Sequence, residues 1–268
     1  MNGKSCGGDD HPEEVRVSAA GRTDVGLKRE QNEDSIEVCE RLGLFAVADG
    51  MGGHAAGEVA SQAAIETLRE FIAQAAVDRD YTWPFGVSEN LSVSENILYT
   101  AFHLANRRVC RLASENEDYA GMGTTLSVIY VHAGKVHLGH VGDSRIYRLR
   151  DDRLECLTRD HTWVNEQIQR NVLTETEARN HRWRNVITRA LGNRVEIEVD
   201  LRTLDPAVGD IFVLCSDGLN EMVADPTIHQ ILSDRGTDLR SACDALITLS
   251  NGGGGLDNVS VVLLRVDA

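Results

Sequence analysis

No two cysteines in this sequence are spaced Cys-x-x-Cys, and none of the six (Cys6, Cys39, Cys110, Cys156, Cys215, Cys243) has an arginine six positions later. The first absence argues against a disulfide framework and for a reducing compartment, with the cysteines acting as small buried apolar residues. The second removes the Cys-x5-Arg phosphate loop and the thiolate mechanism it would support. No apolar run is long enough to span a bilayer, and the opening MNGKSCGGDDHPEE is too polar for a signal peptide, so the expectation is a cytoplasmic chain with no membrane partner. Basic residues are in deficit, 27 Lys and Arg against 42 Asp and Glu, a formal charge of −15. Such a surface has nothing to drive counterion release, which argues against nucleic acid as a partner. Gly3 to Ser5 reads GKS but lacks the upstream glycine and strand of a phosphate-binding loop. No internal repeat is apparent.

What is present is enough for a full core: 268 residues, 42% of them hydrophobic, a length best read as one domain. Residues 1–13 are polar and without period, a flexible tail; residues 14–268 form the domain. The organising stretch is Leu44 to Ser61, LFAVADGMGGHAAGEVAS. A short apolar run, right for a buried strand, ends in Asp49, and a helix pattern begins after His54. The strand delivers one carboxylate to a glycine-rich turn where backbone can approach a ligand. An ordinary acidic turn would look the same. Ahead of it lie two strand-like segments, VRVSAAGRTDVG and DSIEVCE, with the charged turn KREQNEDS holding Arg29, Glu33 and Asp34 between them.

Beyond Gly57, Val59, Ala60, Ala63, Ala64, Leu68, Phe71, Ile72 and Ala75 share one helical face. A break over Tyr81 to Ser92 and a capping box at Ser92 and Glu95 predict a second helix, antiparallel to the first and able to cover one sheet face. From Gly121 the period becomes that of strands: TTLSVIYVHAG, KVHLGHVGD, SRIYRLRDD and RLECLTRD, whose short connections predict an antiparallel meander. His137 and His140 fall on opposite faces of one strand, which argues against a shared metal. Asn165 to Arg189 is polar, with a capping box at Thr174 and Glu177, and reads as an exposed, flap-like excursion. GDIFVLCSDG is a further strand ending at Asp217, Asp225 and Pro226 make an N-cap and N1 pair, and DLRSACDALITLS is a helix running into a flexible NGGGG. Asp257 and Asn258 open the last strand.

Asp49-Gly50, Asp217-Gly218 and Asp257-Asn258 are thus acidic positions tied to strands, with Asp143 of HVGDSR a fourth. Carboxylates gathered at strand ends repel unless hard divalent cations lie between them, and oxygen-only ligands select Mg or Mn over Zn. Spacing alone does not show that they converge. In chain order, however, RxxNED (Arg29 to Asp34), FAVADGMGGHAAGE, GTTL (Gly123 to Leu126), VGDSRIY, TRDH (Thr158 to His161), ITRALG (Ile187 to Gly192), LCSDGL and DNVSVVLL resemble the metal-dependent protein Ser/Thr phosphatases, the PPM or type 2C family, in bacterial form.

The resemblance implies an α+β fold, a four-layer α-β-β-α sandwich with two central antiparallel sheets flanked by antiparallel helix pairs. It implies two Mn2+ or Mg2+ ions and a third, weaker site. Asp49 would bridge two ions, Gly50 would lend its carbonyl to the second, and Asp217 and Asp257 would hold the first. Asp143 would serve the third metal, Glu33 would stand beside the second, and Arg29 would clamp the substrate phosphate while a water attacks phosphorus in line. Eukaryotic relatives carry a His, proposed as general acid, where this chain has Met51, whose thioether donates no proton; His54 is the substitute expected here, its bland reading a helix-start His. A purely structural Asp143 would accept hydrogen bonds from the Ser144 and Arg145 amides. The implied function is hydrolysis of phosphoserine and phosphothreonine in proteins, opposing a bacterial Ser/Thr kinase and acting on that kinase and its substrates, as a monomer. A pseudophosphatase that only binds phosphoproteins is the alternative, though it requires lost ligands and Asp49, Asp217 and Asp257 are all present. A two-metal nuclease shares the metal logic but needs a basic groove.

Overall fold

The computed structural model describes residues 15–53, 56–78 and 83–268. The predicted tail, with Gly3–Ser5 and Cys6, lies outside the described residues, as do His54 and the start of the predicted break at Tyr81. In chain order the elements are β1 (Val17–Asp24), β2 (Asp34–Cys39), β3 (Leu44–Met51), α1 (Ala56–Val77), α2 (Val93–Glu115), β4 (Gly123–Thr124), β5 (Leu126–His132), β6 (Lys135–Val141) and β7 (Arg145–Arg150). There follow β8 (Arg153–Cys156), α3 (Trp163–Gln169), α4 (Glu175–Arg179), β9 (Asp200–Leu204), β10 (Ile211–Cys215), α5 (Asp217–Asn220), α6 (Asp225–Arg235), α7 (Leu239–Gly252) and β11 (Val259–Val266). One sheet has the order β1-β11-β10-β7-β8; the other runs β2-β3-β5-β6-β9, with β4 beside β3. All pairings are antiparallel.

The layers follow from strands that are apolar on both faces. In β3, Leu44, Ala46 and Ala48 point into a core shared with α1 and α2. Phe45 and Val47 point the other way, into a core between the sheets. Strand β11 splits likewise: Val259, Val261 and Leu263 meet α6 and α7, while Val262 and Leu264 fill the space between sheets. Alternation at period two, with both faces buried, fixes the four layers in the expected order. The Ser92 box closes as predicted, with Ser92 Oγ accepting from the Glu95 amide at 3.2 Å and Glu95 Oε2 accepting from the Ser92 amide at 2.8 Å.

Three local expectations are corrected. The four strands after Gly121 are not one meander: β5 pairs with β6 and β7 with β8, but β6 and β7 lie in different sheets. The chain crosses between sheets at Gly142–Ser144, where Gly142 takes φ 116°, a conformation open to glycine. The α6 N-cap is Ala224, so Asp225 is already the first helical residue. NGGGG is not a loose run: α7 continues through Gly252, and the Gly254 and Gly255 amides bond back to the Asn251 and Ser250 carbonyls at 3.1 and 3.2 Å.

The excursion after His161 is pinched at its base, where Thr162 bridges to Ile187 and the Thr188 amide donates to the His161 carbonyl at 2.8 Å. Inside it, α3 and α4 enclose a small aromatic cluster, with Trp163 4.9 Å from His181 and 4.7 Å from Trp183. The segment therefore has a nucleus of its own, which its polar composition hid.

Candidate metal centre

The acidic positions meet at one end of the sandwich, and backbone register brings them there. The β2–β3 ladder sets Asp34 directly opposite Asp49. Two like charges in that position are unfavourable unless something offsets them. A Cβ on Gly50 would stand 2.1 Å from the Gly57 carbonyl oxygen and 2.5 Å from that of Glu33, so only glycine lets the end of β3, the start of α1 and the Glu33 turn press together. A Cβ on Gly218 would stand 2.0 Å from the Asn258 carbonyl oxygen, which seats Asp217, at the head of α5, against Asp257 and Asn258. Asp143 reaches the same region on the crossover between sheets.

Thr125 and Thr124 of the GTTL motif clamp the Asp49 backbone. The Asp49 amide donates to Thr125 Oγ1, and Thr124 Oγ1 donates to the Asp49 carbonyl, both at 2.9 Å. The Asn258 side chain holds the turn that carries Arg29 and Glu33: its Nδ2 donates to the Val25 and Gln31 carbonyls, and its Oδ1 accepts from the Glu33 amide, each at 2.9 Å.

The electrostatics are those of an acid cluster. Burial, then Asp34, Asp217, Asp143 and Asp257, push the Asp49 carboxyl well above the usual carboxylate range. Asp217 is raised for the same reasons, burial first and then Asp143 and Asp257. Burial pushes Asp34 up to about 6, against a hydrogen bond donated by the Ser216 hydroxyl at 2.7 Å. Asp143 rises to about 7 through burial and then the charge of Asp160, countered in part by its own amide. Glu33 is raised by burial, with Arg29 opposing. Arg29 Nη2 donates to Asp257 Oδ2 at 2.6 Å, and the Asn258 amide donates to Asp257 Oδ1 at 2.8 Å, so both oxygens of Asp257 are engaged.

Among the described residues no three His, Cys, Asp or Glu side chains form a finished coordination shell. The donor chemistry nonetheless fits a hard divalent cation. Asp217 Oδ1, Asp34 Oδ1 and Glu33 Oε1 are buried oxygens without a hydrogen-bond partner, and an unpartnered buried carboxylate oxygen is costly unless a cation offsets it. Asp34, Asn258 and Thr125 were missed as site residues by sequence reasoning. Asp34 was visible only as part of a charged turn; its burial follows from the ladder to β3.

Residues 28–245 match the protein phosphatase 2C family. The chain is 40% identical over 247 residues to the serine/threonine protein phosphatase PstP of Mycobacterium tuberculosis, a match covering 92% of this chain but only 44% of that protein's length. It is 35% identical over 251 residues to the serine/threonine phosphatase stp of Listeria innocua, covering 91% of this chain and 94% of that one. The crystal structure of the catalytic domain of PstP in complex with two manganese ions superimposes with a TM-score of 0.79 at 37% identity, over 95% of this chain and 99% of that one. With the sandwich, the acid cluster and the ordered motifs all falling within these matches, the chain belongs to the protein phosphatase 2C family.

Proposed function

We propose that this protein hydrolyses phosphoserine and phosphothreonine in other proteins with the help of Mn2+ or Mg2+. The observation that carries the reading is the cluster of mutually raised carboxylates with partnerless buried oxygens, bordered by an arginine at the rim. Asp49, the Gly50 carbonyl, Asp217 and Asp257 would hold two ions, and Asp143 a third. Divalent cations there supply a nucleophilic water at neutral pH and compensate phosphate charge. The chain's own residues do the rest. Arg29 is exposed enough to exchange Asp257 for a substrate phosphate, to which its fork can donate two hydrogen bonds. Glu33, fixed through its backbone by Asn258 and Ser61, aims a carboxylate at the same space. Met51 has no proton to give the leaving alkoxide, and His54 is the residue we assign to that role.

The excursion from Asn165 to Arg189, a second part of this proposal, shapes substrate choice more than chemistry, because it stands outside both sheets on a pinched base. The phosphoproteins acted on would include a Ser/Thr kinase and its targets, with the enzyme acting as a monomer. The described cysteines are free thiols, which supports a cytoplasmic setting. No helix among the described residues is long and apolar enough to cross a membrane.

The test is hydrolysis of a phosphothreonine peptide by purified protein with added Mn2+ or Mg2+, and again with excess chelator. Turnover should need the metal and stop with chelator; chelator-resistant turnover overturns the reading.

A further inference from the structure

The rim beside Arg29 and Asp257 is apolar in a way the chemistry does not use. Leu27, two residues before Arg29, is 64% exposed, and Leu256, one residue before Asp257, is 54% exposed. The fold holds them together. The Leu27 amide donates to the Gly255 carbonyl at 2.8 Å, and a Cβ on Gly26 (φ 78°) would stand 2.2 Å from the Asp257 carbonyl oxygen, so the two turns lie against each other. A Cβ on Gly255 would stand 2.7 Å from Leu27 Cγ, and one on Gly254 would stand 3.6 Å from Leu256 Cγ and 3.8 Å from Met222 Sδ. Leu27, Leu256 and Met222 therefore border a shallow floor made by two glycines. The same two turns carry the Arg29–Asp257 ion pair.

We propose that this strip is a specificity subsite for an apolar side chain within two residues of the phosphorylated residue. The proposal rests on the phosphatase reading and deepens it. A phosphate seated at Arg29 fixes one residue of the substrate, and an extended chain advances about 3.3–3.6 Å per residue, so its neighbours must cross the rim. A leucine, isoleucine or phenylalanine there would be removed from water on Leu27 and Leu256, whereas a serine would gain nothing.

The test uses the whole protein with Mn2+ and two phosphothreonine peptides, identical except that one carries Leu and the other Ser at the two positions on either side of the phosphoresidue. A small aryl phosphate, which has no flanks, serves as the third substrate. Wild-type protein should favour the Leu peptide in kcat/KM by about tenfold, the size expected from partial burial of one leucine, and chiefly through KM. In Leu27→Ser/Leu256→Ser that preference should fall to near unity while aryl phosphate turnover stays unchanged. Aryl phosphate turnover without a Leu preference in the wild type overturns the subsite alone. A preference that survives the double substitution, or equal loss on all three substrates, overturns it too. No metal-dependent turnover of any substrate overturns the phosphatase reading and the subsite with it.

Discussion

Two groups of acids lie close to the crossover between the sheets, and they are treated in opposite ways. On one side Asp160 takes a forked contact from Arg145, with Nε at 2.9 Å and Nη2 at 2.7 Å, and Asp200 receives His161 and Arg189. At the far end of β7 the buried Asp210 is treated in the same way, pairing with Arg150, whose Nε lies 2.6 Å away. On the other side Asp34, Asp49 and Asp217 raise one another's proton affinity, and Asp143, which adds to the charge on Asp49 and Asp217, is itself raised by burial and by Asp160 at the border between the groups. Acids of the first kind are scaffold, because each brings its counter-charge. Those of the second kind weaken the fold unless a cation joins them, which is the mark of a site selected for chemistry over stability.

The sharpest way to break this contrast is to remove one acid from each side. Asp217→Asn should lower phosphothreonine-peptide turnover by at least about 10²–10³-fold, the size of losing a group that acts on transition-state charge. The metal-free variant should melt no lower than wild type, since one like charge has left the cluster. Asp160→Asn should do the reverse. It should lose about 2–3 kcal/mol in urea denaturation, less than a fully buried pair because both partners keep some exposure, and hold much of its turnover per folded molecule. Stability losses of equal size in the two variants would erase the distinction between the groups.

Arg29 stands between the groups, since its present partner is a site acid. Arg29→Ala should cost about 10–100-fold in kcat/KM on a phosphopeptide, the loss of charge-assisted contacts to phosphate. Calorimetric Mn2+ affinity should meanwhile improve, by about threefold, because Asp257 no longer has to leave an ion pair; the gain is small because that pair is largely exposed. Weaker Mn2+ binding in the variant would mean that Arg29 supports the metal site.

Much of this was legible in the sequence, and the reasons differ by residue. The long helices, the doubly apolar strands and the acids at strand ends declare themselves by period and by neighbouring glycines, as Asp49-Gly50 and Asp217-Gly218 do. The switch of sheet between β6 and β7 was not legible, because HVGDSR reads as an ordinary tight turn and nothing local says which sheet receives the next strand. Asp34 was hidden for a related reason. Its burial depends on lying opposite Asp49 and under Ser216, a residue 182 positions away. Likewise Gly254 and Gly255 look flexible in sequence, but the Leu27 amide and the carbonyls of α7 fix them. Pairing over long range decided each of these.

The smallest expected effect isolates one acid of the unpaired group from the scaffold beside it. Asp143 is buried and holds its proton up to about pH 7, whereas in the unfolded chain it releases it near 3.8. Between those values the folded state binds more protons, so this group makes stability fall as pH rises from about 4 to about 7, with the full cost present above 7. Three residues away His140 acts with the opposite sign. Burial lowers it to about 4, so it stays neutral in the fold while the unfolded chain takes up a proton near 6.5, and stability falls as pH drops below that value. The raw pH profile of the protein is therefore a sum in which the two oppose each other and reveals neither. The difference between wild type and Asp143→Asn at one pH cancels His140. In chelator-treated protein the stability advantage of Asp143→Asn over wild type should grow by on the order of 2 kcal/mol between pH 5.5 and pH 7.5, because over that interval the unfolded chain is already ionised while the folded wild type is still giving up its proton. Excess Mn2+ at pH 7.5 should close the gap, because a cation favours the ionised carboxylate that only the wild type can offer. A gap of the same size at both pH values would place the effect in packing at the crossover and remove Asp143 from the unpaired group.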